Sequence, residues 1–125
     1  WHLALGQHLA AWREQGVLFI GSGSATHNLA EFGRYAFAEE SPDYVRGFSD
    51  WVAQCAEQGR LANTLAWETQ APFALRNHPT PEHWLPWYFA LGAAGGMQAT
   101  AQRMHSSEQW GILRMDMYAF NAKAA

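Results

Sequence analysis

The chain has 125 residues, 49% of them hydrophobic, so it can form one domain with a packed core but is short for two. Its net charge of -3 and its 8 scattered Lys and Arg residues exclude the basic surface that nucleic acid or an anionic membrane would require. Cys55 is the only cysteine, which excludes an intrachain disulfide and favours a reducing cytoplasm.

The N-terminal part of the sequence predicts a helix, a strand and a loop. Apolar residues recur at helical spacing over residues 3–12, and Gly16 is a suitable end for that helix. Residues 17–20 (VLFI) are a continuous run of β-forming residues, which predicts a strand buried on both faces. The small polar residues 21–28 (GSGSATHN) predict a sharp loop after the strand, where functional loops often lie.

The following segments predict further helices and a C-terminal pair of strands. Residues 41–43 (SPD) are a helix-start signal, and the helical spacing of the apolar residues after them predicts a helix that ends at Gly59. A short helix is expected over residues 61–67, followed by a loop over residues 71–79. Alternating residues predict strands over 102–106 and 112–120. Helices feeding strands in this way indicate an α/β fold.

One segment predicts a buried helix. Thr80 can cap it with Pro81 in its first turn, and residues 84–91 are apolar on all sides. Pro86 removes an early helical hydrogen bond, which predicts a kink. This apolar stretch is interrupted by proline and glycine and is shorter than the ~20 residues that cross a membrane, so no membrane segment is expected.

Three histidines, His27, His78 and His83, lie in predicted loops or at a predicted helix start. Imidazole is suited both to proton transfer near neutral pH and to metal ligation. An ordinary surface or hydrogen-bonded histidine is the alternative for each of them. His27 lies in a loop of small residues, which is a suitable place to hold a base.

A metal site near His83 is a second hypothesis. If Thr80 caps the helix, His83 is near the positive end of its dipole, which disfavours the charged imidazolium. Neutral imidazole is the form that binds metals. His78 is held extended ahead of proline and could reach the same pocket. Glu82 is a competing ligand, and a simple pair of loop histidines remains the alternative.

Two longer motifs resemble the class III extradiol ring-cleavage dioxygenases of the 4,5-DOPA dioxygenase group. They are GVLFIGSGSATHNL at residues 16–29 and NHPTPEHWLPWYFALGAA at residues 77–94. The opening HLALGQHLAAWREQG and the closing LRMDMYAF also look like this family, so the resemblance covers nearly the whole chain. It implies a mixed β-sheet flanked by helices, in which residues 1–125 form the C-terminal half of the catalytic domain.

The resemblance also implies a function and roles for the histidines. It implies ring opening of catecholic, DOPA-like substrates by non-haem Fe(II) and O2, with Zn(II) sometimes present in isolated protein. His27 is implied to be the acid/base and one of the metal-site histidines, His83 a metal ligand, and His78 part of the substrate pocket. Two further metal histidines normally come from an N-terminal half, which this sequence does not match. The resemblance implies a smaller aromatic residue before Gly111, where this sequence has Trp110.

Other functions stay open at this point. A zinc-dependent hydrolase would use His27 and His83 around an activated water. A non-catalytic fragment or subunit would keep only the fold. Because the chain begins with Trp, a fragment is expected, with the missing half or another subunit as partner and with exposed apolar surface at residues 17–20 and 84–91. Such surface also favours a homo-oligomer.

Overall fold

In the computed structural model, which describes residues 1–35 and 40–121, helices occupy the chain up to Gln98 and strands follow. The α-helices are α1 (His2–Leu9), α2 (Asp43–Glu57), α3 (Trp67–Gln70), α4 (Ala74–Asn77) and α5 (Pro86–Ala93). The 3-10 helices are Ala10–Gln15, Leu29–Glu31, Leu61–Ala66 and Gly96–Gln98. The strands are β1 (Thr100–His105), β2 (Glu108–Gln109), β3 (Leu113–Arg114) and β4 (Met117–Asn121). This mixture of helices and strands confirms the α/β prediction. Within these residues, every helix is too short or too polar to cross a membrane.

The strands form two separate antiparallel pairs. β1 pairs with β4, with Arg103 opposite Tyr118, and β2 pairs with β3. The turn between β2 and β3 contains Trp110 and Gly111, both at positive φ. The prediction of one strand over residues 112–120 is therefore wrong, because β3 and β4 have different partner strands. Trp110 is half-exposed and its ring lies beside Phe32.

Helix α1 packs against α5 through two glycines. A Cβ atom on Gly6 would overlap the carbonyl oxygen of Phe89, and a Cβ atom on Gly92 would overlap that of Leu3. The backbones of α1 and α5 therefore approach more closely than residues with a Cβ atom would allow. The predicted first helix is confirmed as α1 with its 3-10 extension, which ends at Gly16 in the left-handed region.

Helix α2 supplies the centre of the main core. The helix predicted to follow residues 41–43 is confirmed, and its buried residues recur at helical spacing. Phe48 and Val52 are fully buried and pack against Trp67 of α3 and Trp84. The short helix predicted over residues 61–67 is present as a 3-10 helix that continues into α3.

Residues 17–20 do not form the predicted buried strand. They belong to neither sheet, and Leu18 and Ile20 are 80% and 75% exposed. The prediction is wrong for this structure because no strand among the described residues lies beside the segment to share its hydrogen bonds or cover its side chains. The expectation of exposed apolar surface is confirmed for this segment. At residues 84–91 it is only partly met, because Trp84 and Leu91 are already buried.

Helix α5 begins later than the sequence predicts. Pro86 is its first residue, so it starts the helix where the sequence predicts a kink. The residues before it form turns, in which the Trp84 N–H donates to the Pro81 carbonyl at 2.8 Å. Thr80 does not cap the helix, because its hydroxyl donates to the carboxylate of Glu82 at 2.8 Å instead.

Candidate functional site

His27 and His83 lie face to face in the folded chain. Their ring centroids are 3.6 Å apart and the ring planes differ by 13°. His27 comes from the loop after residues 17–20, and His83 comes from the turn before α5. The fold thus brings together two histidines that are far apart in the sequence.

Backbone hydrogen bonds hold the two histidine loops in place. The His27 N–H donates to the carbonyl of Asn77 at 3.0 Å, and the Ser24 N–H donates to the carbonyl of His83 at 3.0 Å. Each bond joins the His27 loop to the segment of residues 77–83. Buried backbone groups need hydrogen-bond partners. These two bonds supply such partners and also hold the His27 loop against residues 77–83.

Two glycines allow the His27 loop to approach the turn that carries His83. A Cβ atom on Gly23 would overlap the carbonyl oxygen of His83, and one on Gly21 would overlap that of Pro86. Larger residues would push the loop away from His83. The glycines of the GSGS segment therefore serve close backbone packing.

Thr26 connects the same loop to β3, a role that the sequence analysis missed. Its hydroxyl donates to the Ile112 carbonyl at 2.7 Å and accepts from the Arg114 N–H at 2.9 Å. Thr26 is buried, so both bonds are shielded from water. No local sequence pattern indicates a contact over such a long separation.

Asn77 is a second buried residue that the sequence analysis did not single out. Its side-chain amide N–H groups donate to the backbone carbonyls of Tyr44 at 2.8 Å and Phe73 at 3.1 Å. The backbone carbonyl of Asn77 accepts from the His27 N–H. It ends α4, which lies in a segment predicted to be a loop. Its place directly before His78 in the NHPTPEH segment is a signal that could have indicated it.

His78 is enclosed by aromatic rings and is 1% exposed. The rings of Phe48, Trp67 and Trp84 have centroids 5.3, 5.6 and 5.9 Å away. Its Nε2 lies 2.9 Å from the carbonyl of Ala25 and must donate, because a carbonyl only accepts. Burial lowers the pKa of His78 to about 4, so the ring is neutral at pH 7.

The surroundings of His27 also favour a neutral ring. Burial lowers the pKa of His27, and the adjacent His83 lowers it further because two charged imidazoles would repel at this distance. The dipole argument for His83 is wrong, since this residue lies in a turn ahead of α5 and not in the first turn of a helix.

The donor set of the described residues fits a metal only in part. His27 and His83 offer two imidazoles, and neutral imidazole carries the lone pair that binds a metal. In residues 1–35 and 40–121, no group of three or more His, Cys, Asp or Glu side chains could hold an ion. Protein metal sites usually supply at least three ligands, so an ion here would need others from elsewhere.

A cleft of about 550 Å³ begins beside His83. It runs between residues 17–21 and strand β4, and residues of α5 form its floor. Its size is in the range of small-molecule sites. His83 and Ser24 line it, whereas His78 lies behind the lining in the aromatic core.

A family model for the catalytic LigB subunit of aromatic ring-opening dioxygenase matches residues 2–114. The chain belongs to the LigB family. It is 36% identical over 121 residues to the 4,5-DOPA dioxygenase extradiol of Beta vulgaris, covering 97% of this chain and 44% of that protein. It is 34% identical over 104 residues to the Escherichia coli (strain K12) protein of the same name, covering 78% and 36%.

A solved structure shares the fold of this chain. The crystal structure of an uncharacterized protein from Escherichia coli K12 matches with a TM-score of 0.73 and 28% identity, over 98% of this chain and 50% of that one. The family inferred from the two motifs is thus confirmed, as is the fold class. The chain spans half or less of the length of these relatives.

Proposed function

We propose that this chain forms part of an extradiol dioxygenase that opens catecholic, DOPA-like rings with O2 and non-haem Fe(II). The LigB family supports the reaction class, and the names of the relatives support the substrate class. The observation that carries the proposal is the stacked pair of His27 and His83 beside an open cleft. In this reaction one ring C–C bond next to the diol breaks, and both oxygen atoms of O2 enter the product.

His83 is the residue of this chain that would chiefly hold the metal, and His27, stacked on it, would be the second histidine of the metal site. Bound Fe(II) would supply the coordination sites and redox chemistry of the family reaction, whereas Zn(II), which has no redox chemistry, would occupy the site in isolated protein without supporting turnover. His83 faces the cleft, so a ligand role leaves its neighbourhood open to substrate. The remaining ligands would come from the part of the family sequence that this chain does not span.

His27 is the proposed acid/base. Its lowered pKa leaves the ring uncharged at neutral pH, so it can accept a proton from a catechol hydroxyl. The neighbouring His83 disfavours the charged ring, which helps His27 to return the proton later. Its backbone bond to Asn77 restricts the position from which it acts.

His78 is proposed to support the substrate site from the aromatic core, next to the residues that line the cleft. The ring donates to the carbonyl of Ala25, two residues before His27. Its neutral state and aromatic enclosure keep that bond dry, which strengthens it. That His78 also contacts the substrate directly is a separate prediction.

Oxygen uptake by a complete protein tests the proposal. This chain is joined to the unmatched part of the Beta vulgaris relative, loaded anaerobically with Fe(II), and mixed with DOPA, with catechol or with phenol as control. We expect one O2 to be consumed for each DOPA or catechol opened, with its mass added to the product, and no reaction with phenol. A protein that binds Fe(II) and DOPA but consumes no O2 would contradict ring cleavage. Ester hydrolysis by the zinc-loaded form would favour the hydrolase alternative.

A further inference from the structure

One side of the His27 loop is held by the segment that also carries His83. His78 Nε2 donates to the Ala25 carbonyl at 2.9 Å. The His27 N–H donates to the Asn77 carbonyl at 3.0 Å. Both bonds restrain the backbone close to His27, but they leave the opposite side of the loop to other contacts.

Thr26 holds the loop on that opposite side, against β3. Its hydroxyl donates to the Ile112 carbonyl at 2.7 Å and accepts from the Arg114 N–H at 2.9 Å. One side chain thus bonds a carbonyl and an N–H of the same segment, as a neighbouring strand would. Thr26 is buried, so its removal would leave both backbone groups without this partner and without water to replace it.

The two residues that bond Thr26 are themselves fixed. Ile112 is buried and packs against the buried start of α2. The Arg114 side chain donates to the Glu108 carboxylate of the neighbouring strand β2 at 3.3 Å. The bonds of Thr26 therefore connect the loop to a part of the fold that is held by contacts of its own.

We infer that Thr26 is a positioning residue: it holds the loop between β3 and residues 77–83, so that His27 stays in place for proton transfer. The inference rests on the proposed function, in which His27 is the acid/base. Thr26 directly precedes His27 in the chain, so a shift of Thr26 moves the imidazole as well. A displacement of about 1 Å at a reacting group can slow turnover by about 10²-fold.

A second buried threonine provides a matched control for stability alone. The Thr64 hydroxyl donates to the Leu61 carbonyl at 2.6 Å and accepts from the Trp87 indole N–H at 3.3 Å. Thr64 lies in the 3-10 helix Leu61–Ala66, away from the His27 loop in the sequence. Valine at this position removes one donated and one accepted bond, just as it does at Thr26.

Steady-state oxygen uptake with DOPA compares the variants in this chain joined to the unmatched part of the Beta vulgaris relative and loaded with Fe(II). Thr26→Val keeps the branched shape but loses the hydroxyl. Its kcat should fall by about 10- to 100-fold, while KM and iron content stay close to the native values. Thr26→Ser keeps the hydroxyl and should restore kcat, and Thr64→Val should turn over at the native rate.

Hydrogen exchange measures the hold on the loop without reference to turnover. The amides of residues 24–28 should exchange faster in Thr26→Val, because the loop opens at a lower free-energy cost once the hydroxyl is absent. Thr64→Val should lower the free energy of unfolding and leave exchange at these amides unchanged. Thr26→Ala should behave like Thr26→Val, so the test does not depend on how well valine packs.

Native kcat in Thr26→Val would overturn the inference, and so would an equal loss of kcat in Thr26→Val and Thr64→Val. Loss of iron or a raised KM in Thr26→Val, in place of a lower kcat, would also overturn it, because Thr26 would then support the site as a whole. A native protein that takes up no O2 would refute the proposed function instead. In that case hydrogen exchange decides whether Thr26 holds the loop, and unchanged exchange at residues 24–28 would overturn this role too.

Discussion

Acidification should destabilise the protein through His78. Burial among aromatic rings lowers its folded-state pKa to about 4, whereas the ordinary value is 6.5. As the pH falls, the unfolded chain therefore binds the proton first, and the folded state loses stability between these two values. The full stability is present above pH 6.5. A shift of one pKa unit corresponds to about 1.4 kcal/mol, so lowering the pH from 7 to 5 should cost about 2 kcal/mol.

Urea unfolding at pH 7 and pH 5 measures this cost. His78→Gln is the matched variant, because its amide can still donate to the Ala25 carbonyl but does not titrate. The variant should lose about 2 kcal/mol less than the native chain between the two pH values. His27 is present in both proteins, so its own titration cancels. An equal loss in both proteins would refute the assignment of the low pKa to His78.

Two further predictions concern packing. Phe48→Ala should lower the free energy of unfolding by about 3–5 kcal/mol because Phe48 is fully buried, whereas Leu65→Ala, at a half-exposed position, should cost less than about 1 kcal/mol; urea unfolding compares them. Gly92→Ala should lower the melting temperature because its Cβ would overlap the backbone of α1. Gly47→Ala should not, since its Cβ would lie 3.5 Å from the nearest ring and alanine favours the helix. Equal melting temperatures for the two glycine variants would contradict the close packing of α1 and α5.

Local patterns predict the helices whose ends and buried faces depend on nearby residues. α2 follows the spacing of its apolar residues, and α1 with its extension ends at Gly16. α5 is different because Thr80 and Pro81 carry a start signal that the structure does not use. The turn before α5 is instead held by the His27 loop, through the bond from Ser24 to His83. Contacts between distant segments thus override the local signal.

The histidines could be predicted from the sequence more readily than the residues that position them. Imidazole chemistry and the two family motifs single out His27 and His83, and the fold places them in contact. Thr26 acts through backbone partners far along the chain, so no local pattern predicts its role. Residues 17–20 show the same limit, because a strand needs a neighbour that its own sequence does not specify.

The central claim is that His27 and His83 form part of the metal site of an extradiol dioxygenase. Iron content and oxygen uptake with DOPA test it in this chain joined to the unmatched part of the Beta vulgaris relative. His83→Ala should lose iron and activity together, because a ligand is removed. His27→Ala should keep most of its iron and slow turnover by about 10²- to 10⁴-fold, because chiefly a proton-transfer group is lost. If His83→Ala keeps its iron and turns over DOPA normally, the claim is wrong.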